Sequence, residues 1–242
     1  MIKNKNRFYR LHTKSKTLTK FQVLIKETDL LIFADSNLEK QARELVFEHR
    51  SYLENFIDEY PDFATSLIPW QKCTIAPSII RDMIEAGIFA QVGPMAGVAG
   101  AIAEYVGKGL LEFSKEIIVE NGGDLFIKTE NPIEVGIYAG KSPLSNKVGI
   151  KIDSSKGPVG ICTSSGKIGH SLSFGDADAA TVQSHSCVLA DTVATAIGNM
   201  VKTPDDINSA IEFASKIKGV SGVIVIIDDK LGAWGNMELI PI

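Results

Sequence analysis

Apolar and polar positions alternate with two different periods along this chain. Residues 21–25 and 30–34 are β-rich runs separated by a polar stretch at 26–29, the pattern of a hairpin. Asn37 can cap a helix beginning near Leu38, where Leu38, Ala42, Leu45, Val46, His49, Leu53 and Phe56 recur at helical spacing. His49 on that stripe reads as an interior or boundary residue rather than a ligand. Residues 60–73 form a loop punctuated by Pro61 and Pro69, and Pro77 stands at the start of a further helix through 79–86. The second half predicts strands at 116–119, 125–128, 135–139, 148–152, 159–163 and 179–182. Helices follow at 188–200 and 204–218, and strands at 223–227 and 239–242 close the chain. No tandem repeat, low-complexity tract or flexible linker interrupts this order, so residues 1–242 read as a single α/β domain. Strands joined by short hairpins predict an α+β fold of mixed, mostly antiparallel sheets packed with helices, and argue against a doubly wound sheet.

Composition narrows the function classes. Apolar residues make up 45% of 242, enough for a substantial interior. The net charge is −4, but the first 20 residues hold seven basic side chains and no acid. The rest carries 18 basic against 29 acidic side chains, a net −11. An acidic body speaks against nucleic acid as a partner, because duplex binding needs a basic face. The basic segment itself, with Phe8, Tyr9 and Leu11 among its charges, suits a solvated edge strand better than a nucleic-acid arm. Cys73, Cys162 and Cys187 are too scattered for a disulfide framework or a zinc ribbon. No apolar stretch reaches the roughly 20 residues that span a bilayer, and the N-terminus lacks the apolar core of a signal peptide. A soluble, cytoplasmic protein with no membrane partner is expected.

Four segments stand out chemically. From Gly93 to Glu104 the chain is helix-like with almost no side-chain bulk, and Gly93, Gly97 and Gly100 share one helical face. Each helical glycine costs roughly 1 kcal/mol against alanine, so something approaches that backbone closely, either a neighbouring element or a ligand. Glu120-Asn121-Gly122-Gly123-Asp124 reads as a hairpin turn, or as a nest of peptide N–H groups for a ligand's polar edge. Thr163-Ser164-Ser165-Gly166-Lys167, leaving a strand, suits phosphate contact without matching a Walker A loop. His170, just beyond, is the candidate general base and His185 a weaker one. Asp191 and Thr195, four apart, project from one helix face and offer hard oxygens to Mg²⁺. Asp191 near a helix start also suits a simple interaction with the helix dipole.

Asn121-Gly122-Gly123-Asp124, the turn from Thr163 to Gly166, and Ala190-Asp191 with Ala194-Thr195-Ala196 occur in the order found in ApbE-like proteins. The whole chain resembles a poorly characterised prokaryotic branch of that superfamily, whose best-known members are FAD:protein FMN transferases. The resemblance implies an ApbE-like (T-fold-like) architecture and a flavin or nucleotide ligand. In the transferases, which use FAD and Mg²⁺, a threonine hydroxyl of an acceptor protein attacks the FMN-side phosphorus of FAD and AMP leaves. Carried over by motif, Asp191 and Thr195 match the metal-binding helix, and Asn121, Gly122, Gly123 and Asp124 the segment near the flavin. Thr163, Ser164, Ser165 and Gly166 match a cofactor-binding turn, and His170 lies roughly where the transferases keep a histidine. Two departures remove charge from beside the expected pyrophosphate. The transferases' lysine in the glycine helix is missing, since Gly97-Val98-Ala99 runs straight into Gly100. Ser171-Leu172-Ser173-Phe174 replaces the usual Ile-Asp-Pro after His170.

Three function classes follow. The first is a Mg²⁺-dependent enzyme that transfers FMN or cleaves FAD. The second is a binding protein that keeps the pocket without catalysis. The third is a structural subunit in which the glycine helix only packs, and its glycine-rich surfaces and sheet edges suit a homodimer.

Overall fold

The computed structural model describes residues 18–71, 73, 75–166 and 174–242. The basic N-terminal segment with its expected edge strand lies outside them. Strands β1 (Thr19–Ile25) and β2 (Thr28–Ala34) form the expected hairpin, and Lys26 takes the left-handed φ of 50° that its two-residue turn demands. Helix α1 (Glu39–Glu59) follows, one residue later than expected, with Asn37 Oδ1 receiving the Glu39 N–H at 2.9 Å. Then come α2 (Ser78–Ala90), α3 (Val98–Leu110) and the hairpin β3 (Ile117–Asn121) and β4 (Asp124–Lys128). Strands β5 (Ile133–Gly136), β6 (Val148–Ile152), β7 (Val159–Ser164) and β8 (Ala179–Ser184) lead to α4 (Cys187–Met200) and α5 (Ile207–Ser215). The chain closes with β9 (Val220–Ile227), β10 (Lys230–Gly235) and β11 (Glu238–Pro241).

Eight strands pair antiparallel in the order β1-β2-β3-β4-β7-β8-β9-β10, and β11-β6-β5 make a smaller antiparallel sheet. Strand β2 is buried on both faces and explains the layering. Leu30, Ile32 and Ala34 join the core beneath the helices, whereas Leu31 and Phe33 face a second core. That second core is completed by Ile133, Val135, Ile150 and Ile152 of the small sheet. The period-2 rule repeats in β9, where Val223 and Val225 meet the helices and Ile224 and Ile226 meet the small sheet. The fold is therefore α+β, with helices on one face of an antiparallel sheet and a small sheet on the other.

Three expectations shift. The strand expected at 135–139 sits at Ile133–Gly136, and Gly140 turns the chain with φ 53°. The helix expected from Pro204 begins as a single 3-10 turn under a Thr203/Asp206 capping box, and α5 proper starts at Ile207. Strand β10 was not expected. No single described helix is long and apolar enough to cross a membrane.

Candidate functional site

The site is assembled where α3 meets α4. The glycine segment enters as a 3-10 turn, Pro94–Gly97, and continues as α3. A Cβ at Gly97 would strike the Thr192 hydroxyl, and one at Gly100 would strike the Cys187 carbonyl and stand 2.7 Å from Asp191 Cβ. The bulk-free face is therefore what lets α4 lie against α3, and the neighbouring-element reading holds for Gly97 and Gly100. No side chain fits at position 100 while the helices keep this contact.

Asp191 is the fifth residue of α4, too far along to serve its own helix's N-terminus. Its carboxylate instead crosses to α3, where Oδ2 accepts the Gly100 N–H at 2.8 Å and the Ala99 N–H also points at it. Those are first-turn donors of α3, which has no side-chain cap of its own. Asp191 is 8% exposed, and burial pushes its pKa up to about 7 although both N–H groups favour the charged form. One turn on, Thr195 Oγ1 lies 3.4 Å from the Ala96 carbonyl, so a carboxylate, a hydroxyl and a main-chain carbonyl collect where the middle of α4 crosses the start of α3. Among the described residues no trio of His, Cys, Asp or Glu could hold a metal. A soft or carboxylate-only site is therefore not assembled by those residues. Asp191, Thr195 and the Ala96 carbonyl fit a hard cation that keeps waters or phosphate oxygens in its shell.

The segment Asn121–Asp124 is a two-residue hairpin turn, with Asn121 and Asp124 paired and Gly122 and Gly123 at φ 68° and 116°. The Gly123 N–H goes to Glu120 Oε1 at 3.1 Å, which takes one donor from the proposed nest. Alternation along β4 turns Asp124 toward the helices, as Leu125 and Ile127 belong to the opposite core. There it feels the Asp191 charge. Burial first, then that charge, pushes Asp124 well above the usual carboxylate range, while the Cys162 thiol and the Thr163 N–H pull it back. Asn121 completes this wall by donating to the Ala99 carbonyl at 3.0 Å. Asn121 and Asp191 thus both bond to the first turn of α3, and Asp124 stands close enough to Asp191 for their charges to interact.

Other expected site residues behave differently. The Thr163 hydroxyl turns away to Thr181 Oγ1 at 2.9 Å, and only its N–H serves Asp124. Ser164 abuts Gly198 of α4, and Ser165 Oγ and the Gly166 N–H both reach the Ala177 carbonyl, at 3.5 and 2.9 Å. His170, with Lys167, lies outside the described residues. His185 is exposed, with Nδ1 3.5 Å from the Pro158 carbonyl.

Two features escaped the sequence reading. Glu104, which the sequence marks only as the end of the glycine segment, is buried and its Oε2 accepts the Val188 N–H at 3.0 Å and the Ser186 hydroxyl at 3.1 Å. The loop after α1 bounds a hollow of about 560 Å³ lined by Phe56, Tyr60, Ser66, Ile68, Trp70 and Cys73. A Cβ at Gly93 would strike the Ser66 carbonyl, so the hollow's wall rests on the residue three before Ala96. A volume of this size admits a ring system of drug-like dimensions.

Known proteins resemble this arrangement. A "UPF0280 protein" of Methanococcus aeolicus is 43% identical over 222 residues, covering 89% of this chain and 90% of its own. Among solved structures, the flavin transferase ApbE from Vibrio cholerae superposes with a TM-score of 0.58 at 13% identity, over 92% of this chain and 97% of that one. The apo flavinyl transferase ApbE of Pseudomonas stutzeri gives 0.59 at 12% identity, over 93% and 96%. At such identities the structural likeness is one of fold. The sequence match to the family described as "AbpE bacteria" runs over residues 10–236, and the chain belongs to that family.

Proposed function

We propose that this protein binds a flavin nucleotide, FAD in the first instance, together with Mg²⁺ at the meeting point of α3 and α4. One observation carries the reading. Asp191, Thr195 and the Ala96 carbonyl offer three hard oxygens where α4 crosses the start of α3, and the aromatic hollow reaches the same glycine segment through Ser66 against Gly93. Asp191 and Thr195 would hold the metal, with the Ala96 carbonyl as the third protein oxygen. When bound, magnesium supplies charge neutralisation at a pyrophosphate. Phe56, Tyr60 and Trp70 would take a planar ring by stacking. Asn121 and Asp124 would face the ligand's polar edge, and the turn from Thr163 to Gly166 would flank it. His170 is proposed as the group that accepts a proton from an attacking hydroxyl, either water or a protein threonine. The product would be FMN released from FAD, or FMN esterified to an acceptor protein, with AMP leaving in both cases.

Binding without turnover is the second reading. It is favoured by Gly100, where the helix contact leaves no room for the lysine that the transferases carry in their glycine helix. A thermal-shift series with FAD, FMN and AMP, each with and without Mg²⁺, tests the shared part of both readings. Ligand at about 100 times its dissociation constant stabilises the fold by about 2.7 kcal/mol. The expected result is a clear shift with FAD that grows when Mg²⁺ is added. Chromatography of the nucleotides then separates the readings, because turnover yields AMP and binding alone does not. No shift with any nucleotide, with or without metal, would remove both.

A further inference from the structure

We infer that Glu104 is a positioning residue for the candidate metal site, acting through an exchange of carboxylate caps between α3 and α4. The inference rests on the reading of Asp191 as a metal ligand. Each helix lends the other an acid. Asp191 of α4 receives first-turn N–H groups of α3, and Glu104 of α3 receives a first-turn N–H of α4. Glu104 is 3% exposed, and both its oxygens are engaged. Oε2 takes the Val188 N–H and the Ser186 hydroxyl, and Oε1 takes the Lys108 ammonium at 2.6 Å. Ser186 in turn caps α4 by accepting the Leu189 N–H at 3.2 Å.

The consequence is a fixed register. Val188 lies three residues before Asp191, so Glu104 pins α4 one turn ahead of the metal-binding carboxylate. Gly97 and Gly100 let the helices approach until main chain meets side chain, and the two carboxylates add the polar contacts that oppose a slide of one helix on the other. A slide of α4 would carry Asp191 off the Ala99 and Gly100 N–H groups, and Thr195 away from the Ala96 carbonyl, in the same motion. Glu104 touches neither metal nor ligand in this account. Its contribution is to hold the oxygens that do, as the outer partners of metal ligands commonly do.

The test uses the full-length protein and three variants, Glu104→Ala, Glu104→Gln and Ile224→Ala. Ile224→Ala opens a cavity in the core on the far face of the sheet and controls for general loss of stability. Amide exchange is read at Ala99 and Gly100, and Mn²⁺ affinity by electron paramagnetic resonance. Glu104→Ala is expected to speed exchange at both amides at least tenfold and to weaken Mn²⁺ binding about 10–100-fold. Glu104→Gln keeps an acceptor oxygen for Val188 and is expected to restore most of both. Ile224→Ala is expected to leave the Mn²⁺ affinity of the folded protein unchanged. The inference is overturned if Glu104→Ala leaves Ala99, Gly100 and Mn²⁺ affinity at their wild-type values, or if Ile224→Ala reproduces its effects. Wild-type protein that binds no Mn²⁺ would sink the metal reading by itself, and amide exchange would still decide whether Glu104 fixes α4 on α3.

Discussion

Replacing Asp191 with asparagine should stabilise the metal-free protein at alkaline pH and remove much of its pH dependence. In the folded chain the Asp191 carboxyl holds its proton up to about 7, against an ordinary value of 3.8. A raised carboxyl value means that the folded state binds more protons than the unfolded state between those limits. Stability is therefore fully present below about pH 4 and is lost as pH rises through about 7. Each tenfold change in proton affinity is worth about 1.4 kcal/mol, so the whole displacement corresponds to about 4 kcal/mol. Asparagine stands in for the protonated carboxyl, and losing one neutral hydrogen bond relative to it costs about 0.5–1.5 kcal/mol. The net gain expected at pH 8 is about 3 kcal/mol, and it should shrink toward zero as pH falls below 5. Urea denaturation from pH 5 to 8.5 reads this directly, and added Mg²⁺ should reverse the order at pH 8 by stabilising wild type alone. Parallel pH profiles for the two proteins would refute the reasoning, because they would mean that Asp191 is not a strained acid.

Further outcomes follow from particular contacts. Gly100→Ala drives a methyl toward the Cys187 carbonyl and Asp191, so it should cost about 1–3 kcal/mol in urea denaturation despite alanine's better helix propensity. Trp70→Ala removes a wall of the hollow and should weaken FAD by about 1–3 kcal/mol in calorimetry while leaving Mn²⁺ affinity untouched. Cys162 and Cys187 are fully buried, and burial pushes both thiols up, Cys187 to about 11. Only the half-buried Cys73 should react with a thiol reagent in the native protein, and all three in denaturant.

Most of the fold was legible because burial on this sheet obeys period 2 and burial on the helices obeys 3.6. Strand β2, whose successive residues alternate between the two cores, and the amphipathic α1 show both rules plainly. Strand β10 was not legible. Its sequence Lys-Leu-Gly-Ala-Trp-Gly lies at the sheet edge with no fully buried position, so no hydrophobic pattern marks it. The candidate site divides in the same way. Asp191 and Thr195 were visible as an i, i+4 pair, and the hairpin at Gly122-Gly123 by its glycines. What Asp191 does was hidden, because its partner Gly100 is 91 residues away and offers only a main-chain N–H. Glu104 was hidden for the same reason, since a cap supplied by another helix leaves no trace in the sequence beside either terminus. The glycines announced a close approach without saying what approached.

The proposed function requires a divalent cation between Asp191 and Thr195 when a flavin nucleotide is present. A crystal grown with Mn²⁺ and FAD, measured at the manganese edge, tests it most directly. An anomalous peak is expected in contact with the Asp191 and Thr195 side-chain oxygens, at about 2.0–2.3 Å. A peak elsewhere, or FAD bound with no metal between those two residues, would contradict it.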